Sequence, residues 1–146
     1  MVAKNIELVA IVGPTASGKT SLALDIAEAF NGEIIAVDSR TIYKGLDIGT
    51  AKPTKEQQSR VAHWGLDLVD PNETYSAAQF KDYANIAISD IQSRGRLPIL
   101  VGGTGLYMDG VLYDFSFAEP DTKLREKLAA KTLEQLQAMI TKQGIP

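Results

Sequence analysis

Eight residues near the N-terminus follow the pattern G-x-x-x-x-G-K-[ST], and this feature constrains the fold more than any other. They are Gly13, Pro14, Thr15, Ala16, Ser17, Gly18, Lys19 and Thr20. An apolar run at 8–12 precedes them, and Leu22, Ile26 and Phe30 follow at helical spacing. The pattern therefore stands between a predicted strand and a predicted helix, which is the setting of a phosphate-binding P-loop in an α/β fold.

The P-loop pattern assigns different roles to its residues. Its glycines allow backbone N–H groups to surround phosphate oxygens, Lys19 supplies a mobile positive charge, and Thr20 offers a hydroxyl to Mg²⁺. ATP is the common ligand of such a nucleotide-binding loop, but the loop itself requires only a diphosphate or triphosphate. If Mg²⁺ and Lys19 neutralise a departing diphosphate, the same loop can assist the loss of pyrophosphate from carbon.

Further strand patterns alternate with helix patterns along the chain. Strands are predicted at 33–37, 65–69 and 97–101, and helices after the capping boxes Ser76/Gln79 and Thr132/Gln135, after the turn at 102–105, and at 123–130. This alternation predicts a parallel sheet in a three-layer, P-loop NTPase-like core. Ligands bind such sheets where the strands end, and Gly13, Asp38, Asp70 and Gly102 stand at these ends.

Composition narrows the class of protein. The 146 residues are 45% hydrophobic and 23% charged, as in a globular domain, and no apolar stretch is long enough to cross a bilayer. Without a signal region after Met1, we expect a cytoplasmic protein. The absence of cysteine excludes disulfides and thiolate metal sites, and the net charge of −3 argues against binding nucleic acid by bulk electrostatics.

Asp38 is the candidate catalytic carboxylate, because it ends the second strand, where such a sheet is expected to place it next to the P-loop. It can accept a proton or hold an N–H group; equally, it can cap the following loop or bind Mg²⁺ through water. Asp70 precedes Pro71 in a turn and is interpreted as structural. His63, beside Trp64, is interpreted as a packing or surface residue, and the tyrosines as core residues.

Four blocks of sequence resemble tRNA dimethylallyltransferases and occur in the order found in that family. They are GPTASGKT at 13–20, DSRTIYKGLDIGTAKP at 38–53, DPNETYSAAQF at 70–80 and VGGTGLY at 101–107. The resemblance covers most of the chain from residue 8 to about residue 112, and the second block is far more specific than the P-loop. It implies transfer of a dimethylallyl group from dimethylallyl diphosphate to N6 of an adenosine beside the tRNA anticodon.

The resemblance also implies roles for individual residues. Residues 13–20 would hold the donor diphosphate, with Lys19 and Thr20 assisting catalysis and Thr20 binding Mg²⁺. Asp38 would be the general base, and residues of the second and fourth blocks, together with Arg125 beyond them, would contact the tRNA anticodon stem-loop. The tRNA-binding set implied in this way is Asp38, Ser39, Arg40, Thr41, Thr104 and Arg125. Many family members have Gln in place of Thr41, so one hydrogen bond to the acceptor is expected to differ.

The same resemblance predicts that the chain is incomplete. Residues 1–115 are expected to form the P-loop core without its last strand, and residues 116–146 to begin a helical insertion domain. A core of this kind has five parallel strands, whereas four are predicted here. The fifth is expected from sequence after Pro146, and its absence would leave an edge that invites association with another chain.

Three other functions are compatible with parts of the pattern. The P-loop and the length suit a small P-loop kinase, although the second block disfavours it. An adenylate prenyltransferase is nearer, but residues 47–53 resemble the tRNA-directed branch. A non-catalytic fragment that binds diphosphate is the alternative from outside the enzymes.

Overall fold

The computed structural model of the chain describes residues 7–118 and 121–144, in which a parallel β-sheet is covered by helices. The strands are β1 Val9–Val12, β2 Gly32–Val37, β3 His63–Trp64 and β4 Leu97–Gly102. The helices are α1 Lys19–Phe30, α2 Lys55–Arg60, α3 Ala77–Ser93, α4 Gly105–Leu112, α5 Thr122–Ala129 and α6 Leu133–Lys142. The predicted α/β class with a parallel sheet is confirmed.

Strand order in the sheet is β1-β4-β2-β3, and the neighbouring strands are parallel. Strand β4 lies between β2 and the P-loop strand β1. The register nevertheless aligns their ends, since Gly102 pairs with Val12 on one side and Val37 on the other. The residues that follow these three strands therefore meet at one edge of the sheet.

The core has two parts, one on each face of the sheet. Ile34 and Ile99 pack on one face with Leu24 of α1, whereas Ile35 and Leu100 contribute to the cluster on the other face. Adjacent strand residues serve opposite faces because side chains alternate along a strand. Buried on both faces, β2 has no exposed residue, as expected of a central parallel strand.

Helices α1 and α3 lie where the sequence pattern predicts them, but α1 buries a different face. The buried residues of α1 are Ala23, Leu24 and Ala27, while Leu22 and Phe30 are exposed. The buried face of α1 thus combines two small alanines with Leu24, and the small alanines allow close packing of the helix on the sheet. In α3, the buried residues are those of the predicted stripe, Phe80, Ala84, Ala87 and Ile91, and the Ser76/Gln79 capping box is present.

The prediction of a strand at 65–69 is wrong, because β3 consists of His63 and Trp64. Gly65 ends it with a φ of 80°, and a Cβ there would lie 2.5 Å from the carbonyl oxygen of Ala36. The following segment bonds to the loop after β2, where Leu68 N donates to Ile42 O. Helix α2 was not predicted, although its Thr54/Gln57 capping box is visible in the sequence.

The chain divides into two compact units, one ending at Ser116 and the other starting at Phe117. The second unit contains α5, capped by Asp121, and α6, opened by the predicted Thr132/Gln135 box. Neither of these helices has a buried residue, and Leu124, Leu133 and Ile140 are exposed. That these units are a core and an insertion domain stays a prediction, as does association through the edge of the sheet. In the described ranges, every helix is too short or too polar to cross a membrane.

Candidate functional site

A cavity of about 600 Å³ opens where β1, β4 and β2 end. Most of the residues predicted to form the site line it, from the P-loop and from the loops after β2 and β4. These are Gly13, Pro14, Thr15, Ala16, Lys19, Thr20, Asp38, Ser39, Arg40, Thr41 and Thr104. The other two residues of the P-loop pattern, Ser17 and Gly18, lie between Ala16 and Lys19 in the same loop. The tertiary structure thus gathers residues that are up to about 90 positions apart in sequence.

The P-loop leads from β1 into α1, with Gly18 as the N-cap residue. Gly18 has no side chain that could cap the helix, so the first N–H groups of α1 are available to an anion. Lys19 starts this helix, and its Nζ atom donates a hydrogen bond of 2.6 Å to Pro14 O. A lysine folded back over its own loop lies where a phosphate could replace the carbonyl as its partner.

Asp38 is half-buried at the end of β2, and one of its carboxylate oxygens is fixed by the backbone. Its Oδ1 atom accepts hydrogen bonds from Arg40 N at 2.7 Å and from Thr41 N at 3.3 Å. Asp38 therefore caps the following loop, as one interpretation predicted. This role occupies Oδ1 and orients the carboxylate, which leaves Oδ2 as the oxygen available to a ligand.

The loops after β2 and β4 are joined directly across the cavity edge. Ser39 N donates to Thr104 Oγ1 at 3.3 Å, so two residues predicted to bind tRNA contact each other. Gly102 permits this closeness, since a Cβ at that position would lie 1.9 Å from the carbonyl oxygen of Val37. Any side chain at 102 would separate β4 from β2 just below Asp38.

Two polar atoms in the cavity wall lack a hydrogen-bond partner within the described residues, Thr41 Oγ1 and His63 Nε2. Thr41 is only 4% exposed, and burying an unpaired hydroxyl is unfavourable. His63 binds the Val61 carbonyl through Nδ1 at 2.8 Å, and burial lowers the pKa of its imidazole. His63 lines the cavity wall while its ring is tied to the backbone, which agrees with its interpretation as a packing residue.

Another wall of the cavity, formed by residues 49–51 and Pro53, was not predicted. Lys52, whose side chain is 3% exposed, anchors this segment. Its Nζ atom contacts Asp67 at 2.6 Å, Asp47 at 2.8 Å and Tyr43 O at 2.9 Å. The clue in the sequence was the second block itself, whose specific residues continue through Pro53 beyond the predicted contacts.

Other predicted residues have different surroundings. Asp70 lies in a turn and pairs with Lys44 at 3.3 Å, which confirms its structural interpretation. Tyr107 is a core residue, with its ring stacked on Phe80 at 4.8 Å between centroids. Arg125 lies on α5 in the second unit, and its contact with tRNA stays a prediction.

The predicted Mg²⁺ site depends on the side chains that the cavity offers. The described residues contain no cluster of three or more His, Cys, Asp or Glu side chains that could hold an ion alone. Mg²⁺ in phosphate sites takes one or two protein oxygens and completes its shell with phosphate and water. The Thr20 hydroxyl, at the start of α1 in the cavity wall, fits that requirement.

Comparisons with known proteins agree on one family. The family model described as IPP transferase matches residues 41–143, and the one described as isopentenyl transferase matches residues 6–68. A tRNA dimethylallyltransferase of Macrococcus caseolyticus is 52% identical over 123 residues, covering 84% of this chain and 39% of the relative. One of Roseiflexus is 58% identical over 107 residues, covering 73% and 35%. The chain thus spans about two fifths of the length of these relatives.

Solved structures give the same result. The full-length tRNA isopentenylpyrophosphate transferase of Bacillus halodurans superposes with a TM-score of 0.74 and 45% identity, over 92% of this chain and 46% of the other. A eukaryotic dimethylallyltransferase acting on tRNA superposes with a TM-score of 0.76 and 29% identity, over 92% and 35%.

Proposed function

The chain belongs to the IPP transferase family, and from this premise we propose that it contributes the donor site and the catalytic carboxylate of a tRNA dimethylallyltransferase. The reaction would move a dimethylallyl group from dimethylallyl diphosphate to N6 of an adenosine next to the tRNA anticodon and release diphosphate. The observation that carries the proposal is that the P-loop and Asp38 line one cavity of about 600 Å³.

The donor diphosphate would bind in the P-loop. Backbone N–H groups of the P-loop residues other than Pro14, together with the N-terminus of α1, favour a dianionic or trianionic ligand. Lys19 would exchange its hydrogen bond with Pro14 O for one with a phosphate oxygen. These contacts strengthen as negative charge builds up on the departing diphosphate, so they would stabilise the transition state more than the bound substrate.

The acceptor adenosine would meet Asp38 on the other side of the reacting carbon. In the transfer, N6 forms a bond to C1 of the allyl group while the bond from C1 to the diphosphate oxygen breaks. N6 then loses a proton, for which Asp38 is the acceptor within the cavity. Its Oδ1 atom is held by Arg40 N and Thr41 N, so Oδ2 would take the proton without a change in carboxylate orientation.

The polar groups around Asp38 would orient the RNA. Thr104 and Ser39 are joined at the cavity edge, and Thr41 and His63 line the same cavity. Mg²⁺, when bound, would neutralise the diphosphate, and Thr20 would supply its protein ligand. Because the net charge is −3, attraction of the RNA backbone would depend on individual groups such as Arg40 and on bound Mg²⁺.

Competition between donors tests the proposal. Calorimetric titration of the chain with dimethylallyl diphosphate and with ATP, each with Mg²⁺, should show preference for the prenyl donor. Preference for ATP, with phosphate transferred to an acceptor, would favour a small P-loop kinase instead. Binding of the prenyl donor without transfer to an anticodon stem-loop would indicate a non-catalytic diphosphate-binding protein.

A further inference from the structure

Ile48 is the most exposed large apolar residue among the described residues, with 97% of its surface accessible. It lies at the tip of the loop after β2, between Asp47 and Gly49. A scattered apolar side chain on a surface needs no explanation by itself. Ile48 differs because the backbone around it is held in place and because it adjoins the candidate site.

Several contacts fix the loop that carries Ile48. Its carbonyl accepts a hydrogen bond from Ala51 N at 3.2 Å, and Lys52 N donates to Asp47 O at 3.2 Å. The Thr50 hydroxyl bonds to Leu46 O, and the buried Lys52 ammonium holds the Asp47 carboxylate at 2.8 Å. The protein therefore presents this side chain on a fixed support, which favours a role in contact over a role as a flexible linker.

The loop tip continues the wall of the catalytic cavity. Gly49 and Thr50 line that cavity together with Asp38, and they also line a second, more open recess of about 580 Å³. Arg40 belongs to both, and Leu46 and Ile48 line the recess. An apolar surface beside an exposed arginine is complementary to a nucleotide, which has an apolar base face and a charged phosphate.

We propose that Ile48 is a wedge that packs against the face of an RNA base next to the acceptor adenosine and keeps that adenosine out of the base stack. This inference rests on the proposed function, because an adenosine whose N6 reacts inside a cavity must leave its neighbours. Apolar side chains inserted at a base step serve this purpose in other nucleic-acid-binding proteins. Arg40 would contact the adjoining phosphate and fix the strand.

The test compares Ile48→Ala with Ile48→Leu, which keeps an apolar wedge, and with Ile86→Ala, a control at an isoleucine of α3 that is 71% exposed. Each protein is mixed with a stem-loop RNA whose loop carries 2-aminopurine beside the acceptor adenosine, and with an unstructured oligonucleotide of the same loop sequence. Fluorescence of 2-aminopurine reports unstacking, and titration gives affinity. Binding of dimethylallyl diphosphate is measured in parallel.

We expect Ile48→Ala to bind the stem-loop about tenfold more weakly and to lose the fluorescence increase, because the contact area of one isoleucine is removed. The unstructured RNA should be affected less, since it needs little unstacking. Donor binding should not change, and Ile48→Leu and Ile86→Ala should resemble the wild type.

The possible failures are distinguishable. Equal stem-loop affinity and fluorescence in Ile48→Ala and wild type would overturn the wedge while leaving the proposed function intact. A change in oligomeric state by light scattering, without a change in RNA binding, would assign Ile48 to a protein contact and overturn the wedge as well. Wild-type protein that binds the donor but neither RNA would contradict the RNA-directed function itself.

Discussion

The polar side chains at the two ends of strand β2 differ in how completely they are hydrogen-bonded within the protein. At its start, Glu33 is 2% exposed and accepts hydrogen bonds from Trp64 at 2.7 Å, from Arg96 at 2.9 Å and from Arg94. At its end, Asp38 is held only through Oδ1 by backbone N–H groups, within the described part of the chain. Beside it, the Thr41 hydroxyl has no partner among the described residues.

This difference indicates a structural role for Glu33 and a functional role for the end of β2 that is followed by Asp38. Glu33 is satisfied entirely within the protein, and hydrogen bonds from Arg94 lower the pKa of its carboxyl to about 2 although burial opposes the shift. In the cavity that Asp38 lines, by contrast, Thr41 Oγ1 and His63 Nε2 have no hydrogen-bond partner among the described residues. Incomplete pairing of buried polar atoms carries a free-energy cost, and proteins concentrate such costs where a ligand will bind. Substitutions at the two ends should therefore have different consequences.

The largest effect is expected from Asp38→Asn in the catalytically active protein. Asparagine keeps the shape of the side chain but cannot accept the N6 proton, so transfer should slow by about 10²–10⁴. Donor binding and the free energy of unfolding should change little. Single-turnover prenylation of an anticodon stem-loop measures the rate, with Asp70→Asn as the control in a structural turn. Wild-type turnover in Asp38→Asn would show that Asp38 caps the loop and is not the general base.

Lys19→Ala should weaken binding of dimethylallyl diphosphate by about 1.5–3 kcal/mol, because a charge-assisted hydrogen bond to phosphate is lost. Lys44→Ala, at an exposed lysine paired with Asp70, serves as the matched control. Calorimetric titration gives both affinities, and thermal unfolding should show both variants as stable as the wild type. Unchanged donor affinity in Lys19→Ala would contradict the assignment of the donor diphosphate to the P-loop.

Gly102→Ala should affect both stability and donor binding, because Gly102 lies near Asp38 at the cavity and is also required for the packing of β4 against β2. The added Cβ would meet Val37 O at 1.9 Å, so we expect a loss of about 1–3 kcal/mol in the free energy of unfolding together with weaker donor binding. Gly105→Ala is the control, because nothing lies within 4 Å of its added Cβ. Denaturant unfolding of Gly102→Ala that matches wild type would contradict the close approach of β4 and β2.

The smallest effect is expected at the other end, from Glu33→Gln. Loss of charged hydrogen bonds should cost about 1–2 kcal/mol of stability at neutral pH and leave donor affinity unchanged. Because the pKa of Glu33 lies below its ordinary value of 4.5 in the folded protein, its contribution is complete above about pH 4.5 and disappears as the pH falls toward 2. Denaturant unfolding across this range should show a shallower pH dependence in Glu33→Gln than in wild type. A variant that keeps the wild-type pH dependence of unfolding, or that loses donor binding, would contradict the assignment of Glu33 to stability alone.

Local sequence patterns predicted most elements and part of the site. Capping boxes at Ser76 and Thr132 correctly opened α3 and α6, and the P-loop pattern placed Lys19 at the start of α1. The buried face of α1 and the position of β3 were not predicted. The first depends on how closely alanines let the helix approach the sheet, and the second on the backbone contact between Gly65 and Ala36. Both depend on contacts with parts of the sheet that are distant in sequence from the element they place.

The sequence by itself predicted a phosphate-binding loop at the end of β1, because a P-loop is a local arrangement of glycines, a lysine and a helix start. It also determined the family, through four blocks of specific residues. Only the tertiary structure decided that β4 lies between β1 and β2, that Ser39 bonds to Thr104, and that His63 and the Lys52-anchored loop wall the same cavity. The physical reason is that strand order and register follow from packing on both faces of the sheet. Such packing is the joint result of many side chains far apart in the chain, so no single window of sequence contains it.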